Sequence, residues 1–188
     1  MRIIAGQFGS RRLRALPGTD TRPTSDRLRE TLFNVLTAGQ EAALAGSVWL
    51  DLCAGTGAVG LEALSRGAEK VYFVEPARAA AGIIRANLRE LGITTGFEII
   101  ERDAAHALRL LDSREVICDY CFLDPPYRLT ELYEPALTFL GQSQVLRSGA
   151  IAIAEHDKRF DPGENFGVLQ RSRQLRQGDT TLSFYRKQ

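Results

Sequence analysis

Residues 47–68 read SVWLDLCAGTGAVGLEALSRGA, and the fold turns on them. The first six are apolar in character, as expected of a strand buried on both faces. AVGLEALSRGA then carries helical spacing, and only the glycine-rich turn at 53–57 separates the two. Glycines let a backbone turn tightly and approach a ligand closely. The helix N-terminus that follows offers N–H groups and the positive end of its dipole.

The same alternation continues outward. KVYFVE (70–75) is a second strand, and a helix over 77–91 aligns Ile84, Leu88 and Leu91 on one face. FEIIERD (97–103) and AAHALRLL (104–111) supply a strand and a short helix. VICDYCFLD (116–124) is a fourth strand, LTELYEPALTFLG (129–141) a helix and GAIAIAEH (149–156) a fifth strand. Residues 165–187 read instead as two strands around Gln177-Gly178-Asp179 with no helix between them. Strand–helix alternation implies right-handed crossovers, so the expectation is an α/β fold. Its sheet has seven strands, mostly parallel, with helices on both faces and an antiparallel C-terminal edge hairpin.

On the N-terminal side, RIIAGQFGSRRLRAL (2–16) predicts a small hairpin about Gly9-Ser10. Thr24, Ser25 and Asp26 then offer helix-start chemistry, Leu28, Leu32, Phe33 and Leu36 share a face, and Gly39 stops the helix. The expected division is an extension over 1–39 and a main domain over 40–188.

With 44% hydrophobic and 25% charged residues, the 188-residue chain has the composition of a soluble globular protein. No apolar stretch approaches the roughly 18 residues of a membrane helix, and the first residues lack a signal-peptide core. A cytoplasmic location without membrane contact is expected. Residues 1–30 hold seven arginines against three acids in a chain of net charge +1, so positive potential gathers on a basic arm. Three cysteines make no disulfide framework. Cys118 and Cys121 form a C-x-x-C, but residues three apart on a strand point to opposite faces, so their thiols should diverge. No second pair completes a zinc site, and no metal is expected. Cys53 reads as a packing residue, and His106 and His156 as structural or exposed.

Gly55-x-Gly57-x-x-Gly60 has the form of a dinucleotide fingerprint and alone does not name its ligand. It fits a nicotinamide cofactor or the amino-acid end of S-adenosylmethionine (SAM). Three strands end in carboxylates: Asp51, Glu75 and Asp103. Asp51 would repel a pyrophosphate and attract the ammonium of SAM. Glu75 could accept from ribose hydroxyls, and Asp103 from the adenine amine. The set suits a cationic sulfonium nucleoside; the alternative is that all three cap helices or loops. The fourth strand ends in Asp124, Pro125, Pro126 and Tyr127, and two prolines end a strand abruptly.

DLCAGTGAVG, Glu75, Asp103 and DPPY together resemble the ordered motifs of class I, Rossmann-like SAM-dependent methyltransferases. With MRIIAGQFGSRRL and TRPTSDRLRETLFNVL, nearly the whole chain resembles the RsmD-type small-subunit (16S) ribosomal RNA guanine-N2 methyltransferases. The resemblance implies SAM as cofactor and S-adenosylhomocysteine as product. Asp51, Ala54, Gly55, Thr56, Gly57, Glu75, Pro76, Asp103 and Ala104 would line its site. It implies that Asp124, Pro125, Pro126 and Tyr127 handle an exocyclic amine on a planar base. The RNA partner would be small-subunit rRNA in a 30S particle or assembly intermediate, met by a monomer. Arg11, Arg12 and Arg14 would anchor its backbone. Arg22, Thr24 and Arg27 lie on the segment beside the cofactor pocket, and Arg22 and Thr24 could touch either cofactor or RNA. Related glutamine methyltransferases begin the motif with Asn, and Asp124 argues against a protein amide. Other readings are an N6-adenine DNA or RNA methyltransferase, a non-catalytic RNA-binding assembly factor and a nicotinamide-dependent oxidoreductase.

Overall fold

Ser25 starts the first helix, α1 (Asp26–Thr37): its side chain accepts from the Leu28 N–H at 3.2 Å. Ala38 closes it in the left-handed region, at φ 45°. The computed structural model describes residues 1–15, 24–38 and 41–188, so Gly39, the expected stop, and Arg22 lie outside the described residues. The alternation then runs β1 (Val48–Leu52), α2 (Ala58–Ser65), β2 (Lys70–Val74), α3 (Arg78–Leu91), β3 (Phe97–Ile100), α4 (Ala104–Ser113) and β4 (Cys118–Leu123). A 3-10 turn, Thr130–Leu132, leads into α5 (Tyr133–Gln142), and β5 (Leu146–Asp157) follows. Three antiparallel strands finish the chain: β6 (Asn165–Phe166), β7 (Leu169–Gln177) and β8 (Thr180–Lys187).

These strands form one sheet in the order β3-β2-β1-β4-β5-β8-β7-β6. The first five are parallel, and β8 enters antiparallel beside β5. The sheet has eight strands where seven were expected; the addition, β6, is two residues long and carries no periodicity to read. Strand order reverses between β1 and β4, so their carboxyl ends open a crevice where α/β sheets bind ligands.

Each face carries its own core. Leu50, Leu52, Val74 and Leu123 pack with α4 and α5 on one side. Trp49, Phe73, Phe122 and Ile153 pack on the other with α1, α2, α3 and the N-terminal Ile3 and Leu13. Trp49 stacks between Phe33 and Tyr120, at centroid distances of 5.3 and 4.6 Å. Cys118 and Cys121 depart from the expected divergence: both are buried in the same core layer. The β4–β5 register shifts between Cys118 and Tyr120, which breaks the two-residue alternation and turns Cys118 to the face of Cys121.

The N-terminal hairpin is bridged from Arg2 to Arg12, and the Ile3 and Leu13 N–H groups donate across it to the Arg11 and Met1 carbonyls at 2.9 and 3.2 Å. It is fastened to α2 by a buried carboxylate, since Glu62 accepts from the Ile4 and Ala5 N–H groups at 2.7 and 3.0 Å. Behind the glycine-rich turn, α2 lies directly on the sheet. A Cβ at Gly60 would come within 2.3 Å of the Phe73 ring and 2.7 Å of Val71. Gly60→Ala is therefore expected to lower unfolding stability by about 1–3 kcal/mol, the usual cost of overpacking, in a denaturant titration.

Candidate active site

Strand register brings the candidate residues together. Leu52, Leu123 and Ala154 are neighbours across β1, β4 and β5, so the residues that follow, Cys53, Asp124 and Glu155, emerge side by side. The Asp124 N–H reaches back to the Leu52 carbonyl at 3.3 Å. Beside them the turn winds tightly, with Cys53, Gly55 and Gly57 at φ of 69°, 56° and 77°. A Cβ at Gly55 would meet nothing within 4 Å, which leaves that stretch of backbone open to a ligand.

Three of the carboxylates named from sequence also hold backbone in place. Asp51, 2% exposed, accepts the Gly60 N–H at 2.9 Å. Glu75 accepts from Gly55 and Ala77, each at 2.9 Å, and so braces the turn from the next strand. Asp103 caps α4 by accepting the His106 N–H at 2.9 Å, and the His106 ring lies against it. Asp103 is exposed, and the His106 bonds hold its carboxyl below the usual range. Ala104 is buried behind it, while Pro76 is exposed at the end of β2. Ala54 closes the turn by accepting from Gly57 at 2.8 Å. The Thr56 hydroxyl lies 3.6 Å from the Met1 sulfur, and its carbonyl accepts from Asn87.

Asp124 is half-buried and its carboxyl is pushed well above the ordinary range, first by burial, then by the charges of Glu155 and Asp51. Thr24, 7% exposed, donates to Glu155 at 2.9 Å and lies 3.4 Å from the Asp124 carboxylate. Pro125 is buried, and the Pro126 carbonyl is taken by the Leu129 N–H at 2.7 Å. Tyr127 is half-buried with its hydroxyl 3.0 Å from that of Thr180. Sequence reasoning passed over Glu155, although its signal matches that of the acids it did name: a carboxylate ending an apolar strand.

The arginines divide. Arg11 donates to the Glu90 carbonyl at 2.8 Å, and Arg14 pairs with the Glu90 carboxylate, so both fasten the hairpin to α3. Arg12 and Arg27 are exposed and make no ion pair among the described residues. Arg29, counted from sequence in the basic arm, is fully buried. Its guanidinium bonds the Thr24 and Arg2 carbonyls and the Asp26 carboxylate, because Leu28 and Leu32 turn that side of α1 into the core.

The family described as conserved hypothetical protein 95 matches residues 1–186, nearly the whole chain. The chain belongs to this family, the RsmD-type methyltransferases. A Bacillus subtilis relative, YlbH, named as a candidate rRNA methyltransferase, is 36% identical over 187 residues, covering 100% of this chain and 99% of its own. Ribosomal RNA small subunit methyltransferase D of Haemophilus influenzae is 36% identical over 173 residues, 90% of this chain and 86% of its own. A solved Escherichia coli structure, yhhF, described as a candidate methyltransferase, superposes with a TM-score of 0.83 at 28% identity, over 100% of this chain and 98% of that one.

In this RsmD-type methyltransferase, burial raises the Asp51 carboxyl from an ordinary 3.8 to about 7, with the Glu75 charge adding and the Gly60 bond opposing. The folded state thus holds that proton more tightly than the unfolded chain. Asp51 supports stability below its ordinary range and loses that contribution as pH rises to about 7. The melting-temperature difference between Asp51→Asn and the parent should therefore be small at pH 4 and grow in the variant's favour up to pH 7–8, read by ligand-free thermal melts (about 7 being the folded value).

Proposed function

We propose that the protein transfers a methyl group from SAM to the exocyclic N2 amine of a guanine in small-subunit ribosomal RNA. The observation that carries this reading is the convergence of Asp124 with the open Gly55 turn at the strand-order reversal. The names of the relatives supply the RNA class.

The residues fit a cationic donor. Around Cys53 the charges of Asp124, Glu75 and Asp51 are close enough to push its thiol up, with burial the larger cause. A pyrophosphate would meet a cluster of carboxyl groups there, whereas a sulfonium and an ammonium would be attracted. Glu75, Gly55 and Asp51 would hold the ribose and methionine parts, and Asp103 the adenine amine. When bound, SAM supplies an activated methyl group and departs as a neutral thioether.

The protein's task is then to make a poor nucleophile attack. The lone pair of a guanine N2 amine is delocalised into the ring. Asp124 accepts one N–H and the Pro125 carbonyl the other, which favours a pyramidal nitrogen with its lone pair directed at the methyl group. Pro125 and Pro126 restrict the carbonyl without needing a donor of their own. Tyr127 stacks on the base, a contact worth about 1–3 kcal/mol. Alignment supplies most of the acceleration, since aligned reactants lower a barrier by roughly 7–11 kcal/mol. As nitrogen gains positive charge its proton becomes acidic, and Asp124 or water takes it.

Labelled SAM incubated with unmodified small-subunit particles, naked rRNA or genomic DNA, followed by digestion, tests the reading. The expected product is N2-methylguanine from ribosomal RNA. N6-methyladenine, or methyl transfer confined to DNA, overturns it. Asp124→Ala should lower turnover by at least about 10²-fold with SAM binding retained, as when one preorganised transition-state hydrogen bond is lost. Arg12 and Arg27, exposed near the hairpin and on α1, are proposed phosphate contacts. Removing either should weaken RNA binding and flatten its salt dependence by about one contact's share in a titration series.

A further inference from the structure

Glu155 takes no part in the chemistry above, yet the register sets it beside Asp124. It lies in β5 one residue beyond the Leu123–Ala154 pair, two residues before the strand ends, and is 3% exposed. The Thr24 hydroxyl lies between the two carboxylates, 2.9 Å from one and 3.4 Å from the other. Thr24 itself is pinned from behind: the buried Arg29 guanidinium donates to its carbonyl at 3.0 Å. The Glu155 backbone is pinned too, its carbonyl accepting from the Tyr133 hydroxyl at 2.6 Å.

We infer that Glu155 and the Thr24 hydroxyl are positioning residues for Asp124: they orient its carboxylate and set the pH range over which it accepts the amine proton. This role presupposes the methyl transfer proposed above. One hydroxyl proton cannot serve two ionised carboxylates at once. With both acids ionised, Asp124 keeps the longer, 3.4 Å share of that hydroxyl, which favours its charged form, but faces a like charge. Glu155 therefore holds a proton on Asp124, and the Thr24 bond opposes it.

Other groups face the site from each neighbouring element. Asp51 and Cys53 come from β1 and its turn, Glu75 from the end of β2, and Tyr133 from α5. Tyr127 follows β4, and Arg29 of α1 stands behind Thr24. Of these, Asp51 is the other acid raising the Asp124 proton affinity, and it lies on the cofactor side. Among the described residues, the donor to the Asp124 carboxylate is Thr24.

The test is the pH profile of methyl-transfer kcat and of KM for SAM. Asp124 must be ionised to accept, so its titration forms the acidic limb. Glu155→Gln removes the like charge and should move that limb to lower pH by about one unit, the scale of a close charged neighbour. Thr24→Val removes the opposing bond and should move it to higher pH, with kcat at neutral pH about 10-fold lower, equivalent to one hydrogen bond. Thr24→Ser should restore the parent profile, and KM for SAM should change little in all three. A limb that stays in place, or moves the same way in both variants, overturns the inference, because a purely structural role lowers kcat without separating the two directions. Should Glu155→Gln fail to fold, the Thr24→Val and Thr24→Ser pair decides alone. Carbon-13 NMR of labelled aspartate carboxyls reads the same Asp124 shifts without catalysis. Wild-type protein that methylates no RNA, yet shows these shifts, would sink the methyl-transfer reading and spare the coupling; an unmoved Asp124 titration would do the reverse.

Discussion

Parallel strands all end at the same side of a sheet, and here nearly every one ends in an acid. Asp51 lies within β1 one residue from its end, while Glu75 and Asp124 directly follow β2 and β4, and Glu155 stands near the end of β5. Parallel pairing in register forces them toward one edge, where Asp51, Glu75 and Glu155 are less than a tenth exposed. Burying like charges together is costly unless they are bonded or share protons. The chain meets that cost with backbone donors: Gly60 to Asp51, Gly55 and Ala77 to Glu75. The tight turn and the α2 N-terminus are thus held by the same carboxylates that give the crevice its charge. Local rules of burial are broken at this edge because its acids brace the backbone.

The N-terminal segment is built into this arrangement. Glu62 clamps Ile4 and Ala5, Ser65 accepts the Phe8 N–H, and Arg29 ties Arg2 to Thr24. Ile3 and Leu13 sit in the core layer of α1 and α2. These contacts run in series from the hairpin to the Thr24 hydroxyl, and so to Asp124. A segment whose charge suggests a gripping arm also delivers a side chain to the crevice. Its arginines divide accordingly, Arg29 inward, Arg12 outward and Arg11 and Arg14 across to α3.

Much of the fold could be read from periodicity because apolar runs and helical faces are local signals. The strand SVWLDL and the start of the helix after the glycines lie within a residue of their expected places, and the C-terminal hairpin turns where expected, although the helix ends three residues early and the long strand before that turn begins at Leu169. The acids at strand ends were legible for the same reason. What escaped depends on neighbours far along the chain. Thr24 meets Glu155 across 131 residues, a pairing no window of sequence contains. Cys118 turned with Cys121 because β5 shifts register against β4, a property of two strands rather than one. Arg29 looks like any helix-surface cation until the Arg2 and Thr24 carbonyls are seen closing over it.

Cys53 shows how closely the crevice constrains its residues. It adopts φ 69°, a conformation that ordinarily favours glycine and costs other residues roughly 1–3 kcal/mol. Glycine there would relieve the strain and lose the side chain, which packs against the core layer of Leu52 and Leu123. A larger residue would crowd Asp124, and another acid would add to a cluster of carboxyls already packed together. A thiol is small, apolar enough to pack, and here neutral, because burial and the surrounding carboxylates push its ionisation far above its usual range. That same shift removes it as a nucleophile, since only the thiolate reacts. The position beside the glycine turn is thus held by a residue whose reactivity the site itself suppresses.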